Sequence, residues 1–100
     1  MIVRGTTPSI RYTFSTLNVA DIIDAYLTIV QGETVIEKTL QDAEVGEDYL
    51  DWTLSQAETV QLDDKTNCQI QCKYKMQDGK VHASKIVNTK PYDILKEDVI

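Results

Sequence analysis

The chain has 100 residues, enough for one domain with one modest core and no room for a second. A hydrophobic fraction of 42% excludes disorder, and a net charge of −6 argues against nucleic acid as the main partner, because phosphate binding wants a basic surface. No stretch approaches the roughly 20 apolar residues of a membrane span, and the start Met1-Ile2-Val3-Arg4-Gly5 lacks a basic, then apolar, leader, so synthesis in a cytosol and no membrane contact are expected.

After Pro8, Ile10, Tyr12 and Phe14 alternate with Arg11, Thr13 and Ser15, the period of a half-buried strand. Ala25 to Val30 is a short apolar run of the kind that makes a central strand, and Gly32-Glu33 turns it into Thr34 to Leu40. Ala43 to Asp48 is acidic, carries Gly46 and reads as a loop. Leu50, Trp52 and Leu54 then share a face opposite Tyr49, Asp51 and Thr53, so Trp52 is expected in the core rather than on a ligand-stacking surface. Ser55-Gln56-Ala57-Glu58 is a capping box with room for one helical turn behind it.

From Asn67 to Gln77, Cys68, Ile70, Cys72, Tyr74 and Met76 face one way and polar residues the other, the pattern of an antiparallel strand with one wet face. Its two cysteines lie about 13 Å apart along the strand, too far for a disulfide, and read as buried free thiols of a reducing compartment. Asp78-Gly79 signals a two-residue type I′ hairpin. That register pairs Met76 with Val81, Tyr74 with Ala83 and Cys72 with Lys85, and places His82 beside Lys75 on the solvent side. A bulge near Ser84 is then expected, turning Ile86 inward.

These elements predict an all-β fold: a two-sheet antiparallel immunoglobulin-like sandwich of about seven strands, with one short helical turn near 55–60. Residues 1–90 form the domain. Pro91 should end regular pairing, leaving 91–100 as a tail docked on its own domain or on a partner. In that tail Tyr92, Ile94, Leu95, Val99 and Ile100 are the candidate partner contacts, because a disordered tail has no need of so many apolar residues.

No catalytic, cofactor or metal constellation is legible. His82 is the single histidine, no Cys-x-x-Cys occurs, Asp63-Asp64 lacks the ligand spacing of a calcium loop, and neither a glycine-rich phosphate loop nor a nucleophile elbow is present. A non-enzymatic protein without cofactor is expected. The charge is uneven: Glu33 to Asp64 holds ten acidic residues and one lysine, whereas Lys65 to Lys90 holds six lysines and one aspartate. Such asymmetry can orient like copies head to tail, although a solvated surface accounts for it as well.

Arg4-Gly5-Thr6-Thr7-Pro8, Ala25-Tyr26-Leu27-Thr28-Ile29, Thr53-Leu54-Ser55-Gln56-Ala57-Glu58-Thr59, Ile70-Gln71-Cys72-Lys73, Ala83-Ser84-Lys85-Ile86, Asp93-Ile94-Leu95-Lys96 and Val99-Ile100 follow one another in fixed order. As an ordered set over essentially the whole chain, they resemble a family of short proteins encoded in phages and prophages of gut Firmicutes. That family is similar to the immunoglobulin-like N-terminal domains of siphophage baseplate upper proteins. The cysteines at 68 and 72 depart from the charged or aliphatic residues expected there. The resemblance implies a virion structural protein of tail or baseplate, made in the bacterial cytoplasm. Its partners would be other phage structural proteins, or itself as a homo-oligomer. A host-surface or glycan-binding adhesion domain is the alternative, and a prophage regulator that binds a host factor is a third.

Overall fold

The structure, a computed structural model, describes residues 2–100. Eight strands form: β1 (Ser9–Thr13), β2 (Ile22–Gln31), β3 (Thr34–Thr39), β4 (Glu44–Val45), β5 (Tyr49–Thr53), β6 (Cys68–Met76), β7 (Val81–Ala83) and β8 (Val87–Thr89). One sheet has the order β1-β5-β4. The other runs β3-β2-β6, with β7 and β8 sharing the far side of β6, and every strand pairing is antiparallel. Residues 43–48, expected as a loop, contain β4, whose Glu44 and Val45 pair with Asp51 and Leu50. Strand order and crossovers match the B-E-D and C′-C-F-G sheets of an immunoglobulin-type sandwich, the expected class with one strand more.

The period-two faces meet between the sheets. Leu50 and Trp52 from β5, with Leu54 just beyond it, pack against Leu27 and Ile29 from β2, Ile36 from β3, and Cys68, Ile70 and Cys72 from β6. Trp52 is fully buried; its indole N–H donates to the Thr39 carbonyl at 2.9 Å, and its ring stands edge-on to Tyr12. Asp51, on the outward face of β5, is also buried, because Arg11 from the neighbouring β1 binds its carboxylate at 2.9 Å. The same guanidinium lies 3.8 Å over the Tyr49 ring, so this tyrosine is covered instead of standing exposed. A Cβ at Gly46 would lie 2.0 Å from that ring, which makes glycine the residue that fits.

The β2–β3 hairpin turns on Gly32 at φ +57, followed by a residue of negative φ, which is the type II′ geometry. The capping box forms: the Ser55 hydroxyl accepts from the Glu58 amide, the Glu58 carboxylate accepts from the Ser55 amide, and α1 (Gln56–Thr59) is the single turn expected. Buried Gln31 fastens the loop that follows. Its side-chain amide donates to the Asp63 and Thr66 carbonyls at 3.0 and 2.9 Å and accepts from the Asp63 N–H at 2.7 Å.

The β6–β7 hairpin departs from the expected register. Asp78 keeps negative φ, so the turn is not type I′. Gly79, at φ +87, instead ends a three-residue loop closed by Met76 and Lys80. The pairs become Lys73–Ala83, Tyr74–His82 and Lys75–Val81. A one-residue slip exchanges the faces, so His82 lies across from Tyr74, the ring centroids 5.5 Å apart, and not beside Lys75. The pairing then shifts by one residue between Ala83 and Val87, which is the irregularity expected near Ser84. Its consequence differs: Ser84 bonds Cys72 through backbone and hydroxyl, while Ile86 stays half exposed.

Cys68 and Cys72 are free and fully buried. Burial pushes both thiols up, Cys72 to about 11, so the thiolate that would react is scarce at neutral pH. A bulky thiol reagent is expected to label neither cysteine in the native protein and both after denaturation. Rapid native labelling of both would mean that this face of β6 is open.

Candidate interaction surface

The N-terminal residues and the last ten form one unit. Regular pairing stops with β8, before Pro91, which is itself buried; beyond it Val3 and Tyr92 form an isolated parallel bridge, in which the Tyr92 N–H donates to the Ile2 carbonyl and the Arg4 N–H donates to the Tyr92 carbonyl, both at 2.9 Å. Ile2 is buried in the core, so this bridge ties the tail to the sandwich. Gly5 follows at φ +73, a conformation that favours glycine, and Ile94 packs beside it.

Arg4 is the hub. Its guanidinium donates to the carbonyls of Leu62 and, at 3.1 Å, Val60, and from its other side to the carboxylates of Asp93 at 2.7 Å and Glu97 at 3.0 Å. The five donors of arginine in a rigid fork suit this division between the loop after α1 and the tail. Asp93 also accepts from the Ile94 N–H, and this bond together with Arg4 holds its carboxyl below the usual range. At the far end, Gln56 clasps Ile100 twice, donating to its carbonyl at 2.8 Å and accepting from its N–H at 2.9 Å. A cleft runs beneath the segment between Gly5, Thr6 and Gln56 on one side and Ile94 and Ile100 on the other.

The candidate contacts therefore separate. Ile94 is half-buried against the domain. Tyr92 is 59% exposed, Leu95 and Ile100 fully so, and Val99 63%. A segment held by backbone groups at Tyr92 and Ile100 and by the carboxylates of Asp93 and Glu97 thus carries apolar side chains that face outward. The sequence offered no signal for Arg4 or Gln56 as anchors, since their partners lie 44 to 93 residues away.

Elsewhere the hollows are open to solvent: one of about 120 Å³ lies on the outer face of the five-stranded sheet, between Tyr26, Lys73, Lys75 and Val81, and others of about 300–370 Å³ lie beside Asp64 and Lys90, beside Asp21 and Gln77, and beside Asp24 and Leu40. Among the described residues, no three His, Cys, Asp or Glu gather where they could hold a metal ion, and no helix is long and apolar enough to cross a membrane. No family model, no curated protein and no solved structure matches this chain.

Proposed function

We propose that this domain is a non-enzymatic structural module of a phage particle, in tail or baseplate, that works through protein–protein contacts made by Tyr92, Leu95, Val99 and Ile100. The observation that carries this reading is the pinned segment 91–100: the carboxylates of Asp93 and Glu97 are bound by Arg4 and the Ile100 backbone by Gln56, while these side chains point to solvent. A segment already ordered avoids much of the entropic cost of binding, and outward aliphatic groups gain only when a partner covers them. The resemblance to the phage family supplies the class of partner, another virion protein. The adhesion alternative has less support, because the exposed rings are dispersed: Tyr26 lies on the outer sheet face and Tyr92 in the tail.

The test is mass spectrometry of purified particles made with the wild-type chain and with a Leu95→Asp, Val99→Asp variant. Both sites are exposed, so the variant should melt within about 0.5 kcal/mol of the wild type. Covering each aliphatic side chain is worth about 1.5–3 kcal/mol, so the variant should be largely lost from particles that incorporate the wild type. Wild-type protein absent from the particles, or a variant incorporated equally well, overturns the proposal.

A further inference from the structure

The five-stranded sheet has two open edges, and the fold places the acidic and basic stretches of the chain on opposite ones. β3 is one edge; β7 and β8 are the other. On β3, Gln31 and Thr34 close the two-residue turn as a hydrogen-bonded pair, so by the alternation of an antiparallel ladder Val35, Glu37 and Thr39 direct their N–H and C=O groups away from β2. Thr39 agrees: its N–H donates to Asp42 and its carbonyl accepts from Trp52, both outside the sheet. On the other edge, the Lys80 carbonyl accepts from Met76 and the Ser84 N–H donates to Cys72, so Val81 and Ala83 are the residues that face outward.

The two edges are complementary. Three antiparallel steps separate β3 from β7, so a translated copy brings its β3 antiparallel to β7 of the first. Val35 opposite Ala83 and Glu37 opposite Val81 would match all of the outward groups in four backbone hydrogen bonds. All four side chains then lie on the outer face, where Val35 and Val81 are each more than half exposed. Glu33, Glu37 and Asp42 are exposed on or just beyond β3, and Lys73, Lys75, Lys80 and Lys85 are exposed along β6, β7 and the turns that flank β7. Lys38 does not offset the acidic edge, because it binds Glu58 at 2.8 Å; Asp21, Asp24 and Asp78 are the acids near the basic one.

We infer that copies of this chain associate head to tail through these edges, continuing the five-stranded sheet from one copy into the next. The contact is heterologous, so it closes into a ring or grows as a filament. It uses neither the segment 91–100 nor the phage reading. The irregularity at Ser84 ends the ladder after Ala83, so the paired stretch is short and charge attraction carries much of the association, which must weaken with added salt.

Proline tests the edges separately, since at Val35 or Val81 it removes an outward N–H and leaves the ladder behind it intact. In sedimentation velocity, the wild-type chain should gain mass with concentration at low ionic strength and lose it in high salt. Val35→Pro and Val81→Pro should each self-associate at least about tenfold more weakly. An equimolar mixture of the two should form a dimer and nothing larger, because one intact β3 edge meets one intact β7 edge. If a proline variant melts well below the wild type, Val35→Lys and Val81→Glu serve in the same scheme, each setting like charge against its neighbour. A wild-type chain that stays monomeric at all concentrations overturns the inference. So does loss of assembly in the Val35 variants alone, which would mean a β3–β3 contact, or a mixture that remains monomeric.

Discussion

Trp52→Ala should remove a large part of the stability of the domain. Deleting a fully buried aromatic costs about 3–5 kcal/mol, set against a total of roughly 5–15 kcal/mol for a domain. Two features of the site place the cost at the upper end. The indole lies between the sheets with no solvent contact, and its neighbours come from both of them, so the void cannot close by moving one strand. Its N–H also satisfies Thr39, whose carbonyl points off the β3 edge and would lose its partner. At about 4–8 °C per kcal/mol for a domain of this size, a melting temperature lower by more than about 12 °C is expected. A variant that melts like the wild type would mean that Trp52 is not central to the fold, and would reopen a ligand-stacking role for it.

Arg4→Ala should release the segment 91–100 while the sandwich stays folded. The substitution removes both carboxylate contacts of the tail and the donors to the carbonyls of Val60 and Leu62. Leaving partly buried carbonyls without a donor costs about 1–3 kcal/mol, a modest fall in melting temperature. The tail should respond more strongly, because what remains is the Tyr92 bridge and the Gln56 clasp at its ends. Limited proteolysis between Asp93 and Val99 should accelerate by about tenfold or more, following the free energy of local opening. Arg4→Lys should rescue it only in part, since one ammonium cannot span carbonyls on one side and carboxylates on the other. Acid should act in the same direction. The Asp93 carboxyl titrates below its usual value in the folded state, so its contribution is complete above the ordinary aspartate range and is lost as pH falls through the lowered value. Equal cleavage of wild type and Arg4→Ala would show that Arg4 does not hold the tail.

The hairpin at Asp78-Gly79 marks where local reading stops. The dipeptide announces a turn, and a turn is there, but a two-residue and a three-residue loop differ by one residue in register, and every side chain beyond takes the opposite face. His82 and Val81 exchange sides for that reason. What decides is the fit of the return strand on β6, including the Ser84 contacts to Cys72, which no property of the dipeptide encodes.

The sequence by itself determined the class of fold and the part of its core that the strands supply, but not Ile2, Val19 or Leu62, which enter the core from outside the strands. Alternation with period two assigns Leu50, Trp52, Leu54, Cys68, Ile70 and Cys72 to one face each, and burying those faces requires two sheets. It also determined α1, because a capping box acts between residues three apart. The tertiary structure alone decided what the ends of the chain do. Arg4 and Asp93 are 89 positions apart and meet because the bridge of Val3 with Tyr92 lays the segment before β1 alongside the segment after β8. The charge asymmetry is visible as two stretches of sequence, but only the order β3-β2-β6-β7 sets them on opposite edges. Local pattern acts over a few residues, whereas an interaction surface gathers groups whose separation along the chain carries no information about their distance in space.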